Sequence, residues 1–101
     1  MSEYVLSAGA ESDLYSIWEF IAQDNIDAAD RWVTKLFEGF EVLTRNPAIG
    51  HRRDDLTSFP VLFWPIGAYL VIYRIQDGHI EIVSVTQGAR DIPSFLRTRV
   101  Q

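Results

Sequence analysis

The stretch from Tyr69 to Gln87 restricts the possible folds more than any other part of the chain. Two runs rich in β-branched and aromatic residues, Tyr69 to Ile75 and Ile80 to Gln87, are separated by Asp77-Gly78-His79. Asp-Gly readily takes the positive φ angles of a tight primed turn, so the runs are expected to pair as an antiparallel hairpin. The first run is apolar on both sides until Arg74, with Leu70 and Ile72 alternating with Tyr69, Val71, Tyr73 and Ile75. A strand of that kind needs cover on two faces.

The upstream half supplies one cover. Tyr4 to Ser7 is a short apolar piece that fits a strand, and Ser7 is placed to cap a helix beginning just after it. From Ala10 the apolar positions Ala10, Leu14, Ile17, Trp18 and Ile21 recur at intervals of three and four, with Glu11, Asp13, Glu19 and Gln23 on the other side. This predicts an amphipathic helix. Asp24-Asn25 interrupts it, and Asn25 is a good cap for a second helix whose stripe runs through Ala29, Trp32, Val33, Leu36, Phe37, Phe40 and Leu43. Asn46-Pro47 ends that helix, because proline disfavours helical geometry in the residue before it. So short a link between the helices predicts an antiparallel pair.

After a polar connection, Phe59 to Pro65 reads as a proline-bounded strand that precedes the hairpin. The expected class is therefore α+β: a short N-terminal strand and an antiparallel helix hairpin packed on a small antiparallel sheet, in the order β-α-α-β-β-β, with a short C-terminal helix or tail. One domain over residues 1–101 is expected. No large element remains for the second face of the hairpin strand. Either the tail after Gly88 folds back over it or a partner chain covers it, and the partner is the expected cover.

Charge narrows the function classes. The chain carries a net −5, which argues against a general nucleic-acid binder, and no direct specific DNA binding is expected. Residues 1–50 hold Arg31, Lys35 and Arg45 against nine acids, a net of −6, while residues 51–101 hold six arginines against five acids, a net of +1. Most arginine thus falls in the strand-rich half, where it can sit on a solvated surface or meet an acidic partner. The longest apolar runs are too short to span a bilayer, and a soluble, cytoplasmic protein is expected. The absence of cysteine excludes disulfides, thiolate metal sites and a cysteine nucleophile.

Catalytic groups are sparse. His51 and His79 are the only histidines, each beside a turn and without a partner at motif spacing. No metal-binding or phosphate-loop pattern occurs, and no cofactor or metal is expected. Asp54-Asp55 is a loop pair that reads as solvated. Trp18, Trp32 and Trp64 read as core. The remaining groups of interest are Arg52, Arg53, Arg74, Arg90, Arg97 and Arg99, whose guanidinium forks suit carboxylate or phosphate.

At Tyr69 to Arg74 and at Gln87-Gly-Ala-Arg-Asp-Ile92 the chain strongly resembles the ParE toxins of the RelE/ParE superfamily of bacterial type II toxin–antitoxin modules. Further fragments match the family's order: Ala10-x-x-Asp13-Leu14-x-x-Ile17-Trp18-x-x-Ile21-Ala22, Asn25 with Ala28-Ala29, Leu43-x-x-x-Pro47-x-x-Gly50, and Arg53-Asp54. The resemblance implies a toxin held inactive by a ParD-like antitoxin with a DNA-binding ribbon-helix-helix region. It also implies interference with DNA gyrase that stabilises cleaved DNA, by binding and without an active site.

The superfamily's RelE branch consists of ribosome-dependent mRNA endonucleases that use sheet arginines and a tyrosine near the C-terminus. Here those positions correspond to Leu70 and Leu96, and only Arg90 of that set is retained. Leucine can neither donate a hydrogen bond nor stabilise developing phosphate charge, so a nuclease is the less favoured reading. A non-toxic relative acting only in the antitoxin complex is a further alternative. The expected antitoxin-binding or target-binding residues are Arg53, Arg74, Arg90, Ile92, Phe95, Leu96 and Arg97. For Arg74 and Arg90 the competing role is an ion pair to Asp91 or a helix acid. For Ile92, Phe95 and Leu96 it is core closure by a short helix begun at Pro93.

Overall fold

A computed structural model describes residues 3–87 and 92–97, except for the side chains of residues 94, 95 and 97. The elements are β1 (Tyr4–Leu6), α1 (Ala8–Ala22), α2 (Ile26–Arg45), β2 (Leu62–Ile66), β3 (Tyr69–Gln76), β4 (His79–Gln87) and α3 (Ile92–Arg97). They form an α+β fold, as the periodicities predict. The caps fall where expected: Ser7 Oγ accepts the Ala10 N–H at 3.0 Å, and Asn25 Oδ1 accepts the Ala28 N–H at 2.9 Å. Trp18 Nε1 donates to Asp30 Oδ1 at 2.8 Å and ties α1 to α2.

The sheet has the order β1-β4-β3-β2. β2, β3 and β4 pair antiparallel, while β1 lies parallel to β4 with Tyr4 opposite Ile80 and Leu6 opposite Ile82. The sheet is thus antiparallel as expected over β2, β3 and β4, and mixed through the parallel β1. Strand direction depends on where Ser7 turns the chain into α1, which no local pattern in Tyr4–Leu6 encodes. The β3–β4 turn is as predicted, with Asp77 at φ 52° and Gly78 at φ 79°.

The predicted strand from Phe59 to Pro65 is displaced toward its C-terminus and contains Pro65. The reason lies in the edge. Phe63 exchanges both backbone hydrogen bonds with His51, outside the sheet, at 2.8 and 2.9 Å. Pro65, two residues on, therefore also faces away from β3, where a missing N–H breaks no ladder bond.

The helix pair covers one sheet face. Ala10 and Leu14 of α1 and Leu36, Phe40 and Leu43 of α2 pack with Tyr69, Val71, Tyr73, Ile80, Ile82 and Val85. Phe40 is fully buried between Tyr4 and Phe37, at centroid distances of 5.5 Å from each. The Tyr73 ring lies in this core. Its hydroxyl donates to the Pro47 carbonyl at 2.7 Å and accepts the Gly50 N–H at 2.9 Å, which fixes the loop leaving α2.

The second face is also closed from within the chain. Val61, Phe63, Ile72, Val83, Ile92 and Leu96 form a second cluster, against which Leu56, Phe59 and Leu70 pack. The expectation that a partner chain provides this cover is corrected: α3 and the segment from Leu56 to Val61 provide it. The bulge between Ile72 and Tyr73 in the β3–β4 register shifts the alternation of β4 by one residue, so that Val85 shares the helix-covered face with Ile80 and Ile82 while Val83 joins the second cluster.

Candidate functional site

The residues expected to bind a partner divide between a core and a surface. Ile92 and Leu96, on successive turns of α3, are 3% and 0% exposed and close the second cluster. They therefore take the core-closing role. Leu70, half-buried, packs on the same cluster, so both positions that a nuclease of the RelE branch would give to polar groups are apolar and packed together. Thr86 stands opposite Leu70 in the register, and its Oγ1 is buried without a hydrogen-bond partner among the described residues. Arg90 lies outside the described residues, as do the side chains of Phe95 and Arg97.

Arg74 is half-buried and its Nε bonds Glu81, the residue directly across on β4. The alternative of a partner at Asp91 or on a helix is thus corrected. Antiparallel register places the two side chains on one face at contact distance, which makes Glu81 the nearer acid. Arg53 is exposed and forms a fork with Asp55, with Nε and a terminal nitrogen at 2.9 and 2.7 Å from its two oxygens. That hydrogen bond holds the Asp55 carboxyl below the usual range and the Arg53 guanidinium above its own. Arg52 engages Asp54 through one oxygen, Oδ1, which accepts from Nε at 3.3 Å and from a terminal nitrogen at 3.1 Å. The Asp54-Asp55 pair is therefore exposed yet matched, one arginine to each acid.

These arginines occupy separate places, Arg53 in the loop before β2 and Arg74 near the far end of β3. Among the described residues no cluster of three or more metal-binding side chains occurs, and no helix is long and apolar enough to cross a membrane.

Periodicity alone puts one polar residue that matters to the fold on the wrong side. Asp13, expected on the outer face of α1, turns toward β4. Its Oδ2 accepts the Ser84 hydroxyl at 2.7 Å and the Val85 N–H at 3.0 Å. Ser7 acts similarly, its Oγ donating to the Val83 carbonyl at 2.9 Å. Together they satisfy the edge of β4 where β1 has ended. The recurrence of Asp13 beside Leu14 in the family-like pattern is the one available signal.

Beside this edge is a groove of about 370 Å³, lined among the described residues by Ser12, Asp13, Ser16, Ile17, Phe20, Tyr69 and Val85 to Gln87. Phe20 is 65% exposed there, and Tyr15 stands out from α1 nearby at 64%.

No curated protein matches the chain. Among solved structures it is similar to a chain described as the chromosomal ParDE TA system from P. aeruginosa, at 18% identity and a TM-score of 0.71, covering 86% of this chain and 96% of that one. That likeness establishes a shared fold. The family described as "ParE toxin of type II toxin-antitoxin system, parDE" matches residues 4–92. With nearly the whole chain matched, from β1 to the first residue of α3, the protein belongs to the ParE toxin family.

Proposed function

We propose that this chain is the toxin of a type II toxin–antitoxin module, that it acts in the cytoplasm by binding DNA gyrase and stabilising cleaved DNA, and that a ParD-like antitoxin neutralises it. Family membership supports the module, and the ParDE description of the structural neighbour supports an antitoxin as partner. The observation that carries a non-enzymatic action is the burial of Leu96 against the cluster that Leu70 joins. A ribonuclease needs donors there to hold RNA and meet charge on the transferring phosphate, and two leucines offer neither.

The test is direct. Purified chain added to a gyrase supercoiling reaction is expected to accumulate cleaved DNA, while ribosomes programmed with mRNA stay uncut. Ribosome-dependent cleavage would assign the protein to nuclease chemistry instead. Neither effect, with antitoxin bound and no growth arrest on expression, would leave a relative that acts only in the antitoxin complex.

A further inference from the structure

We infer, on the reading of this chain as a toxin that acts on gyrase, that a basic pocket on α2 is a contact site for that enzyme and receives a carboxylate side chain from an acidic segment of it. The pocket, of about 170 Å³, is lined among the described residues by Ala28, Arg31, Trp32 and Lys35. Spacings of three and four along α2 bring these residues to one side of the helix. Arg31 and Lys35 are two of the three bases in residues 1–50, a stretch that holds nine acids.

Both cations are exposed, and neither forms an ion pair among the described residues. Helix geometry offers partners, since Asp27 lies four residues before Arg31 and Glu38 three residues after Lys35. Neither pair forms. Arg31 and Lys35 instead stand four residues apart as like charges, an arrangement that disfavours the helix. Lys35 turns to Trp32, with Nζ 4.8 Å from the ring centroid, and this cation–π contact holds the ammonium at the pocket. Trp32 is itself fixed. Its ring meets Tyr69 edge-on at 5.3 Å, and the β2–β3 turn passes so close that a methyl group at Gly67 would lie 2.6 Å from Trp32 Cη2. One cation of the pocket is thus set in place on a rigid apolar floor before any ligand arrives.

Charge and size select the occupant. Asp27, Asp30 and Glu38 share the helix and would repel the neighbouring phosphates of a nucleic-acid backbone. A single carboxylate avoids them, and the Arg31 fork can take both of its oxygens. Exposed charges of this kind add little lasting affinity but speed encounter and set register. That suits capture of a large target enzyme, whereas neutralisation by an antitoxin requires slow release.

The experiment adds the full chain to the gyrase supercoiling reaction at low and high ionic strength. Arg31→Gln with Lys35→Gln removes both charges and keeps helix-forming side chains. At low salt the concentration needed for half-maximal accumulation of cleaved DNA is expected to rise about tenfold, and added salt is expected to close most of that gap by weakening the wild type. Arg45→Gln, a base in the last turn of the same helix, controls for net charge and should leave potency unchanged. Circular dichroism of each variant establishes that it is folded. Full potency of the double variant, a gap that salt does not close, or an equal loss in Arg45→Gln overturns the pocket and leaves the gyrase reading intact. An equal fall in affinity for the antitoxin, or a self-association of the wild type that the double variant loses, gives the pocket another occupant and overturns the inference as well. No effect of the wild type on gyrase overturns both.

Discussion

The two faces of the sheet are covered by different means. One meets two long helices whose apolar stripes match it; the other meets Ile92 and Leu96 of the short α3 and an irregular run from Leu56 to Val61. A helix of twenty residues such as α2 brings capped, cooperative structure to its contacts. A one-and-a-half-turn helix does not stand alone and owes its order to the cluster it closes. The first face should therefore carry global stability and the second a smaller, local share.

The largest effect expected is from Phe40→Ala, which removes a fully buried ring from the first face and should cost about 3–5 kcal/mol. Urea denaturation measures it, and a cost no greater than that at Leu96 would erase the distinction. Leu96→Ala should cost less, about 2–3 kcal/mol, at the low end for a buried leucine because a short helix can settle into the space. Amide exchange should then show α3 opening while α1 and α2 stay protected.

Tyr73→Phe keeps the ring and deletes the hydroxyl, leaving the Gly50 N–H and the Pro47 carbonyl unmatched, for a loss of about 1–3 kcal/mol. The same group predicts a pH response. Burial raises the Tyr73 phenol above its ordinary value, and the Gly50 N–H opposes this. With the folded pKa above the unfolded one, its contribution is intact below pH about 10 and is lost as pH rises through the raised value. Wild type should lose stability in that alkaline window and Tyr73→Phe should lose less, as tracked by the urea midpoint against pH.

Arg74→Ala should cost about 0.5–1 kcal/mol, since its pair with Glu81 is only partly shielded from solvent. At the small end, Arg53→Ala should leave the melting temperature unchanged, because its pair with Asp55 is exposed. A marked destabilisation there would give the loop before β2 a structural role.

Legibility in the sequence divides along the same line. The 3.6-residue stripes of α1 and α2, their caps at Ser7 and Asn25, and the Asp77-Gly78 turn are local signals, and each one appears in the structure. The direction of β1 and the inward turn of Asp13 depend on residues some seventy positions away, so no local pattern holds them. The cover of the second face is hard to read for a related reason. Ile92 and Leu96 are too few to announce a helix by periodicity, and Phe59 and Val61 read as strand until their contacts show them packed as a lining. Of the expected binding residues, Ile92 and Leu96 lie in the core and Arg53 and Arg74 have acidic partners within the chain. A binding surface is chosen by what the partner presents, and one sequence holds only half of that information.

The Tyr73 hydroxyl bears on how the molecule unfolds. Its ring belongs to the helix-covered face, yet the loop it grips leads into the segment that lines the other. A methyl group at position 50 would sit 2.6 Å from that oxygen, so Gly50 and Tyr73 constrain each other and alanine at 50 is expected to release the grip. Through this contact the run from Leu56 to Val61 borrows cooperativity from the thick side: it is tethered while β3 remains packed, even when α3 opens, and loss of β3 frees it together with the helices.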